Sequence, residues 1–260
     1  MQLTIFFTAP GPVAVPVQYS HRLQGLIYRQ MENPVLRSYL HDQGFALEKR
    51  RFKLFTFSRL MGRATHYDQA AKRLVLTPPL RLVICSPIPF ILQELGTGFL
   101  RQGRVRLGDV SLTVKEMATA APRATQNNLR VRMLSPLVTY STLDGTGGRA
   151  YTYYYSPFEP RFGELIGANL AKKHLLVHGR PPLADGFTIR PVRVEDRDQK
   201  VTYYKDTVVK GWMGDYELSG DPALLQVALD AGMGAKNSQG YGCCTPAEEK
   251  TKHAVAGVMG

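Results

Sequence analysis

The segment Asp230–Gly242, "DAGMGAKNSQGYG", decides how the rest of the chain is read. Glycines stand at 232, 234, 240 and 242, forming two G-x-G pairs around Lys236, Asn237, Ser238 and Gln239. The residues just before it read as a helix. Asp221 suits a cap, Pro222 suits a first turn, and Leu224, Leu225, Val227 and Leu229 supply the apolar positions. A dinucleotide fingerprint follows a strand and opens a helix, whereas these glycines follow the helix, and no Walker order is present. Glycine tolerates positive φ and lets other groups approach the backbone closely. Successive exposed N–H groups can form an anion nest, with Lys236 as a mobile cation and Asn237, Ser238 and Gln239 able to bond phosphate, sugar or base. The plainer reading is a glycine C-cap, a tight turn and close helix–sheet packing. Four glycines with a lysine exceed what a cap requires, so the segment is expected both to pack closely and to touch a ligand.

Working outward, this helix, loop and final strand (240–248) close a longer pattern. Before them lie strand-like 129–140 and 152–156, a helix within 159–179, and strands in 186–194 and 200–220. The first half runs in the same order: a strand at 2–7, helical periodicity at 17–31 and 33–41, strands at 53–58, 72–78 and 81–86, a helix at 89–103 interrupted near Gly96 and Gly98, and a hairpin or bulged strand at 104–117. Strand–helix–two strands–helix–strand, twice over, predicts an α+β protein of two tandem ferredoxin-like (RRM-like) domains, with antiparallel sheets carrying helices on one face. The expected division is 1–122 and 123–250, joined through the small, polar 118–128 stretch, with 251–260 a flexible tail. No sequence repeat accompanies the duplicated order, and a single mixed α/β domain with insertions is the alternative.

Composition sets the class. Apolar residues make up 44% of the 260, normal for a globular protein, and 33 basic against 21 acidic residues give a formal charge of +12. Such a balance favours a polyanionic partner over the blander alternative of a basic soluble protein from a hot or salty cell. Three cysteines, Cys85, Cys243 and Cys244, suggest neither a disulfide framework nor a closed zinc site. The N-terminus has no signal-peptide pattern and no apolar run is long enough to span a bilayer, so a cytoplasmic, non-membrane protein is expected.

The pattern Gly232-x-Gly234, five residues, Gly240-x-Gly242, after a helix and near the C-terminus, resembles the glycine-rich loop of the CRISPR-associated endoribonucleases that process precursor CRISPR RNA, within the RAMP superfamily. The resemblance extends to "YSHRLQGLIYRQM" (19–31), to "YLHDQG" (39–44) with "FKLFTFSRL" (52–60), and to "SP" ahead of the tyrosine-rich segment around 151–155. It covers most of the chain, and the glycine segment and residues 19–60 are its most specific parts. It implies two ferredoxin-like domains, repeat RNA held in a basic cleft, and metal-independent cleavage of one phosphodiester to a 2′,3′-cyclic phosphate and a 5′-hydroxyl. It implies no cofactor and no metal. The implied partners are CRISPR repeat RNA, as precursor and as mature product, and a CRISPR effector complex or a second copy in a homodimer. The same fold also serves as a non-catalytic RNA-binding subunit of such complexes, which is the competing expectation. A metal-dependent nuclease fits less well, because Asp42, Asp68 and Asp109 are scattered.

Metal-free cleavage must deprotonate the attacking 2′-hydroxyl, support in-line geometry, protonate the 5′-oxygen and place a cation against the phosphorane charge. His41 closes "LRSYLH", where a helix C-terminus favours imidazolium, a useful bias for an acid. On residues alone it reads first as a surface or capping histidine, and the register of the resemblance is what implies that it is the catalytic one. Tyr28 lies beside the stripe of Leu23, Leu26, Ile27 and Gln30–Met31. A phenol with pKa near ~10 is a poor base, so Tyr28 is expected to hold the 2′-hydroxyl or phosphate; direct proton abstraction and simple packing are the alternatives. Lys53 is the electrostatic candidate, against a capping or solvated lysine. His21, seven positions before Tyr28 on nearly the same helical face, is the rival histidine. His66, His174, His178 and His253 show no metal-ligand pattern.

For holding RNA, "EKRRFKLFTFSRLMGR" (48–63) supplies Lys49, Arg50, Arg51, Lys53, Arg59 and Arg63. Arg104 with Arg106, and Arg130 with Arg132, alternate along strands and could follow a phosphate backbone. Phe52, Phe55 and Phe57 fit a core or local stacking, and "AYTYYYSPF" fits core first and RNA platform second.

Overall fold

The structure, a computed structural model, describes residues 1–145, 150–183, 186–204 and 207–247; the tail expected at 251–260, with His253, lies outside them. The strand Gln2–Thr8 is the centre of the first sheet. Its alternation places Leu3, Ile5 and Phe7 on one fully buried face, as a two-residue period requires. Leu80–Cys85 pairs antiparallel with it on one side and Val110–Ala120 on the other, with Thr56–Phe57 and Arg104–Leu107 at the two edges. Helices α1 (Ser20–Arg29), α2 (Pro34–Ser38) and α3 (Pro89–Gln102) complete this half. Leu23, Leu26 and Ile27 of α1 and Ile91, Leu92, Leu95 and Phe99 of α3 close the core over the sheet.

The second sheet has the order Thr188–Arg193, Asp215–Ser219, Asn128–Met133, Cys244–Pro246, all antiparallel. Helices α4 (Pro160–His178) and α5 (Pro222–Ala231) bury Phe162, Ile166, Leu170, Leu225 and Leu229 against it. In both halves the strands therefore take the spatial order second–third–first–fourth of a split βαβ pair, with the 104–120 hairpin standing as the fourth member in the first sheet. Two tandem ferredoxin-like domains are the result. The first sheet ends at Ala120 and the second begins at Asn128.

The helix at 89–103 is not interrupted at its glycines; α3 runs unbroken from Pro89 to Gln102. A Cβ on Gly98 would collide with the backbone of Gln30, so this glycine lets α3 cross the end of α1 at contact distance, while Gly96 faces open space. Among the described residues no helix is long and apolar enough to cross a membrane.

The domains meet along a seam built by Phe52–Phe57. Phe52 and Leu54 enter the second core, and Phe55 and Phe57 enter the first. Leu54 takes a left-handed φ of 52° at the crossing point. Arg59 N–H donates to Leu134 O at 3.0 Å, and the free thiols of Cys85 and Cys243 lie 3.8 Å apart across the same seam.

Candidate active site

Asn33 caps α2 by accepting from the Val35 and Leu36 amides at 3.0 Å each. Instead of ending, the helix widens into a single π-turn, Tyr39–Gln43, closed by Gly44 at φ 67° donating to Tyr39 O. The extra residue sends Leu40 wholly inward and leaves His41 and Asp42 side by side at the surface. Two side chains brace this turn from behind. Tyr28 Oη donates to Leu40 O at 3.3 Å, and Lys53 Nζ donates to His41 O at 2.8 Å. The rings of Tyr28 and His41 meet edge to face, with centroids 5.3 Å apart. The structure thus brings together Tyr28, His41 and Lys53. His21 stands exposed in the first turn of α1, its Nδ1 3.1 Å from Gln18 O, and does not share the arrangement.

Two details refine the expected roles. Tyr28 does not lie to the side of α1; it is buried, with 7% of its surface exposed. Burial, reinforced by Tyr204 and Asp42, pushes its phenol well above the usual tyrosine range. Its hydroxyl donates to Leu40 O, so in this geometry it braces the turn and supports the His41 ring. Burial pulls the Lys53 ammonium below its usual range, opposed by Asp42 and assisted by Arg51. Asp42 answers His41 on the other flank: His41 Nδ1 and Asp42 Oδ1 are 2.6 Å apart, and Ser38 Oγ donates to Asp42 Oδ2 at 3.0 Å. Those bonds, His41 first, hold the carboxyl below the usual carboxylate range.

Lys53 also opens onto a cavity of about 750 Å³ between the domains. Its basic lining is Arg50, Arg51, Lys53, Arg161, Lys173 and Lys236. Gly234, Asn237, Ser238 and Gln239 also face it, so the loop and residues 50–53 share one concavity. Phe52 and Phe55 reach the same lining but are buried in the two cores, and Phe57 is a core residue away from it.

The glycine loop divides its labour. Gly232, Gly234, Gly240 and Gly242 are all buried with φ between 64° and 90°, a region L side chains avoid. A Cβ on Gly240 would stand 2.7 Å from Phe57 Cε2, and one on Gly232 2.9 Å from Thr56 Cβ. Their bareness serves contact with the first domain. Thr56 Oγ1 donates to Tyr241 O at 2.9 Å in the same contact. Asn237 braces the loop from within: Nδ2 donates to Met233 O and Tyr241 O, and Oδ1 accepts from Lys173. Ser238 O accepts from Gln24 Nε2 of α1 at 2.7 Å. Lys236, left-handed at φ 61°, lies over the Tyr140 ring at 5.3 Å. The buried Oε1 of Gln239 and Oδ1 of Asn169, both in cavity-lining residues, have no hydrogen-bond partner among the described residues.

Sequence reasoning missed three residues. Lys173 is buried to 2% exposure and donates to Gly232 O (2.7 Å), Gly234 O (3.3 Å) and Asn237 Oδ1 (2.7 Å). Burial pulls its ammonium down to about 7, against Cys244. Its signal was present: a lysine continuing the Phe162, Ile166, Leu170 stripe of α4. Arg161 and Asp42 carried no comparable pattern. Arg130 and Arg132, expected on the phosphate path, do not line the cavity. Arg132 grips buried Asp215 through Nε and Nη2 at 2.8 and 2.9 Å, and Arg130 lies 3.8 Å from the same carboxylate.

Paired ferredoxin-like domains, a glycine loop packed on their seam and a basic cavity between them define a class of tandem ferredoxin-like proteins with a cationic cleft. Within that class the chain belongs to the Cas6 family: the family model "CRISPR-associated protein Cas6, N-terminal" matches residues 14–118, and "CRISPR associated protein Cas6, C-terminal" matches residues 119–246. A CRISPR-associated endoribonuclease Cas6 of Pyrococcus furiosus is 26% identical over 240 residues, covering 91% of this chain and 85% of its own. The CRISPR-associated endoribonuclease Cas6 1 of Methanocaldococcus jannaschii is 26% identical over 265 residues, covering 97% and 95%. A solved Cas6-related structure from Pyrococcus furiosus superposes with a TM-score of 0.82 at 18% identity, covering 96% of this chain and 99% of that one.

Proposed function

We propose that the protein is a metal-independent endoribonuclease that cuts CRISPR repeat RNA in precursor transcripts. The observation that carries this is the meeting of His41, Tyr28 and Lys53, the last of which also lines a cavity with five other basic side chains. RNA tracks through the cavity on Arg50, Arg51, Arg161 and Lys236, with Ser238 and Gln239 within the same lining. The 2′-oxygen attacks the adjacent phosphorus, and the P–O5′ bond breaks as His41 gives a proton to the departing 5′-oxygen. Lys53 adds positive charge to the field around the phosphorane. The products are a 2′,3′-cyclic phosphate and a 5′-hydroxyl. Support comes from the chemistry of the three residues and from the curated Cas6 relatives, which are named endoribonucleases.

The test is single-turnover cleavage of repeat RNA from the source genome, with and without a chelator. Cleavage with chelator present, lost on deoxyribose substitution 5′ to the cut and on His41→Ala, is expected. Recovery only with added magnesium, or full-rate cutting of the deoxy substrate, refutes the reading. An RNA-binding subunit would bind the repeat and leave it intact.

A further inference from the structure

The π-turn does more than present His41. It makes consecutive side chains neighbours, and Asp42 is held at both carboxylate oxygens: Oδ1 lies 2.6 Å from His41 Nδ1, and Oδ2 accepts from Ser38 Oγ at 3.0 Å. Ser38, the last residue of α2, is four positions earlier and one turn below. The ring itself is bounded by Tyr28 from α1, and its backbone is pinned by Lys53. Among the described residues, Asp42 and Tyr28 are the titratable groups seen against the ring, and Lys53 sits on its backbone carbonyl. An ionised carboxylate only accepts, so the nitrogen facing it must carry a proton. Nδ1–H is fixed by this bond, and Nε2 is left as the nitrogen whose proton can move.

We infer that Asp42 is a positioning residue for catalysis, orienting His41 through Nδ1 so that Nε2 delivers the proton to the 5′-oxygen. This rests on His41 being the acid of the proposed cleavage. The imidazolium enters with protons on both nitrogens. As P–O5′ breaks and the 2′-oxygen completes its bond to phosphorus, the Nε2 proton passes to the 5′-oxygen and the 2′-hydroxyl proton leaves to solvent. The neutral ring that remains has its proton on Nδ1, the tautomer the Asp42 carboxylate holds. Solvent then restores the Nε2 proton. With asparagine at 42, the carboxamide NH₂ can face Nδ1 instead and stabilise the opposite tautomer. Both side chains are more than half exposed, so the effect is smaller than in a buried dyad.

The experiment is single-turnover cleavage by Asp42→Asn, Ser38→Ala, His41→Ala and the His41→Ala/Asp42→Asn double variant. Each is measured on the natural substrate and on one with a 5′-bridging sulfur, a leaving group that needs little protonation. Asp42→Asn is expected to slow cleavage roughly tenfold or more with RNA affinity no weaker, and to shift the high-pH limb of the rate profile, where the acid loses its proton, to lower pH. Ser38→Ala should show a smaller loss in the same direction. On the sulfur substrate the Asp42→Asn loss should largely vanish, and the double variant should be no slower than His41→Ala. A folded Asp42→Asn protein that cuts at the wild-type rate while His41→Ala does not would overturn the role of Asp42 and leave the cleavage reading intact. An Asp42→Asn loss equal on both substrates would overturn it as well, marking a merely structural effect. Full-rate cutting by His41→Ala would instead overturn the underlying reading.

Discussion

Gly240→Ala separates the two tasks of a glycine loop, packing against protein and exposing backbone to RNA. Gly240 sits at φ 90°, and an added Cβ would lie 2.7 Å from Cε2 and 3.1 Å from Cζ of Phe57. Left-handed backbone costs an L-residue about 1–2 kcal/mol. The clash cannot be relieved cheaply, because Phe57 is 1% exposed and stacked beside Phe55, so overpacking adds roughly 1–3 kcal/mol. The sum, about 2–5 kcal/mol, is a large fraction of the ~5–15 kcal/mol by which native proteins are stable. The single tryptophan, Trp212, is buried in the second core and reports unfolding of the domain that carries the loop. Urea titration followed by Trp212 fluorescence should show a clear fall in midpoint for Gly240→Ala. RNA affinity, measured well below that midpoint, should fall less than stability does. An unchanged midpoint with strongly weakened RNA binding would refute the packing argument and return Gly240 to direct RNA contact.

Other substitutions test the remaining assignments. Gly96→Ala, in the middle of α3 with nothing near its Cβ and no positive φ, should stabilise the protein by about 0.5–1 kcal/mol; a lower urea midpoint would contradict the open, helical environment. Lys173→Met should weaken RNA binding by loosening Gly232, Gly234 and Asn237, and it should also change the pH dependence of stability. With the folded ammonium near 7 and the unfolded one near ~10.4, the unfolded chain holds more protons between those values, so the wild type gains stability as pH rises from about 7, by at most about 1.4 kcal/mol per pH unit from this group. Parallel stability–pH curves for wild type and Lys173→Met would refute that assignment. Tyr28→Phe keeps the ring against His41 and loses only the bond to Leu40 O, so cleavage should slow by less than about tenfold with the high-pH limb unmoved. Complete loss of cleavage in folded Tyr28→Phe would make the phenol a participant in the chemistry.

The duplicated fold was legible because each sheet's centre advertises itself. "QLTIFF" alternates at a strand's period, and Asp221–Pro222 ahead of four leucine and valine positions marks a helix start. The continuity of α3 was not legible, since a glycine in a helix reads the same whether it breaks the helix or lets a neighbour approach. "KLFTFS" read as one strand, yet only Thr56–Phe57 joins the sheet; Leu54 turns left-handed because its side chain and that of Phe52 belong to the other domain's core. At the site, nothing periodic links Tyr28, His41 and Lys53. The bonds between them run through backbone carbonyls of a widened turn, which residue patterns do not encode, so the resemblance alone brought them together. Asn237 illustrates the opposite case. An exposed-looking amide in a polar run suggested a ligand contact, but both its ends are taken within the protein.

On the proposed reading, Phe52–Phe57 ties the cleavage chemistry to the grip on RNA. Phe52 and Leu54 flank Lys53 and are seated in the second domain, so the ammonium that holds His41 O is fixed by the domain contact as well as by the turn it braces. Two residues on, Thr56 and Phe57 receive the glycine loop through Tyr241 O and the space left by Gly240. Lys173 anchors that loop from α4 below, and Gln24 ties it to α1, the helix that also carries Tyr28. A shift of the second domain therefore moves Lys53 against His41 and the loop against the cavity together. Substitutions on the seam should change affinity and cleavage in step, whereas substitutions on the exposed flank of the π-turn should change cleavage alone.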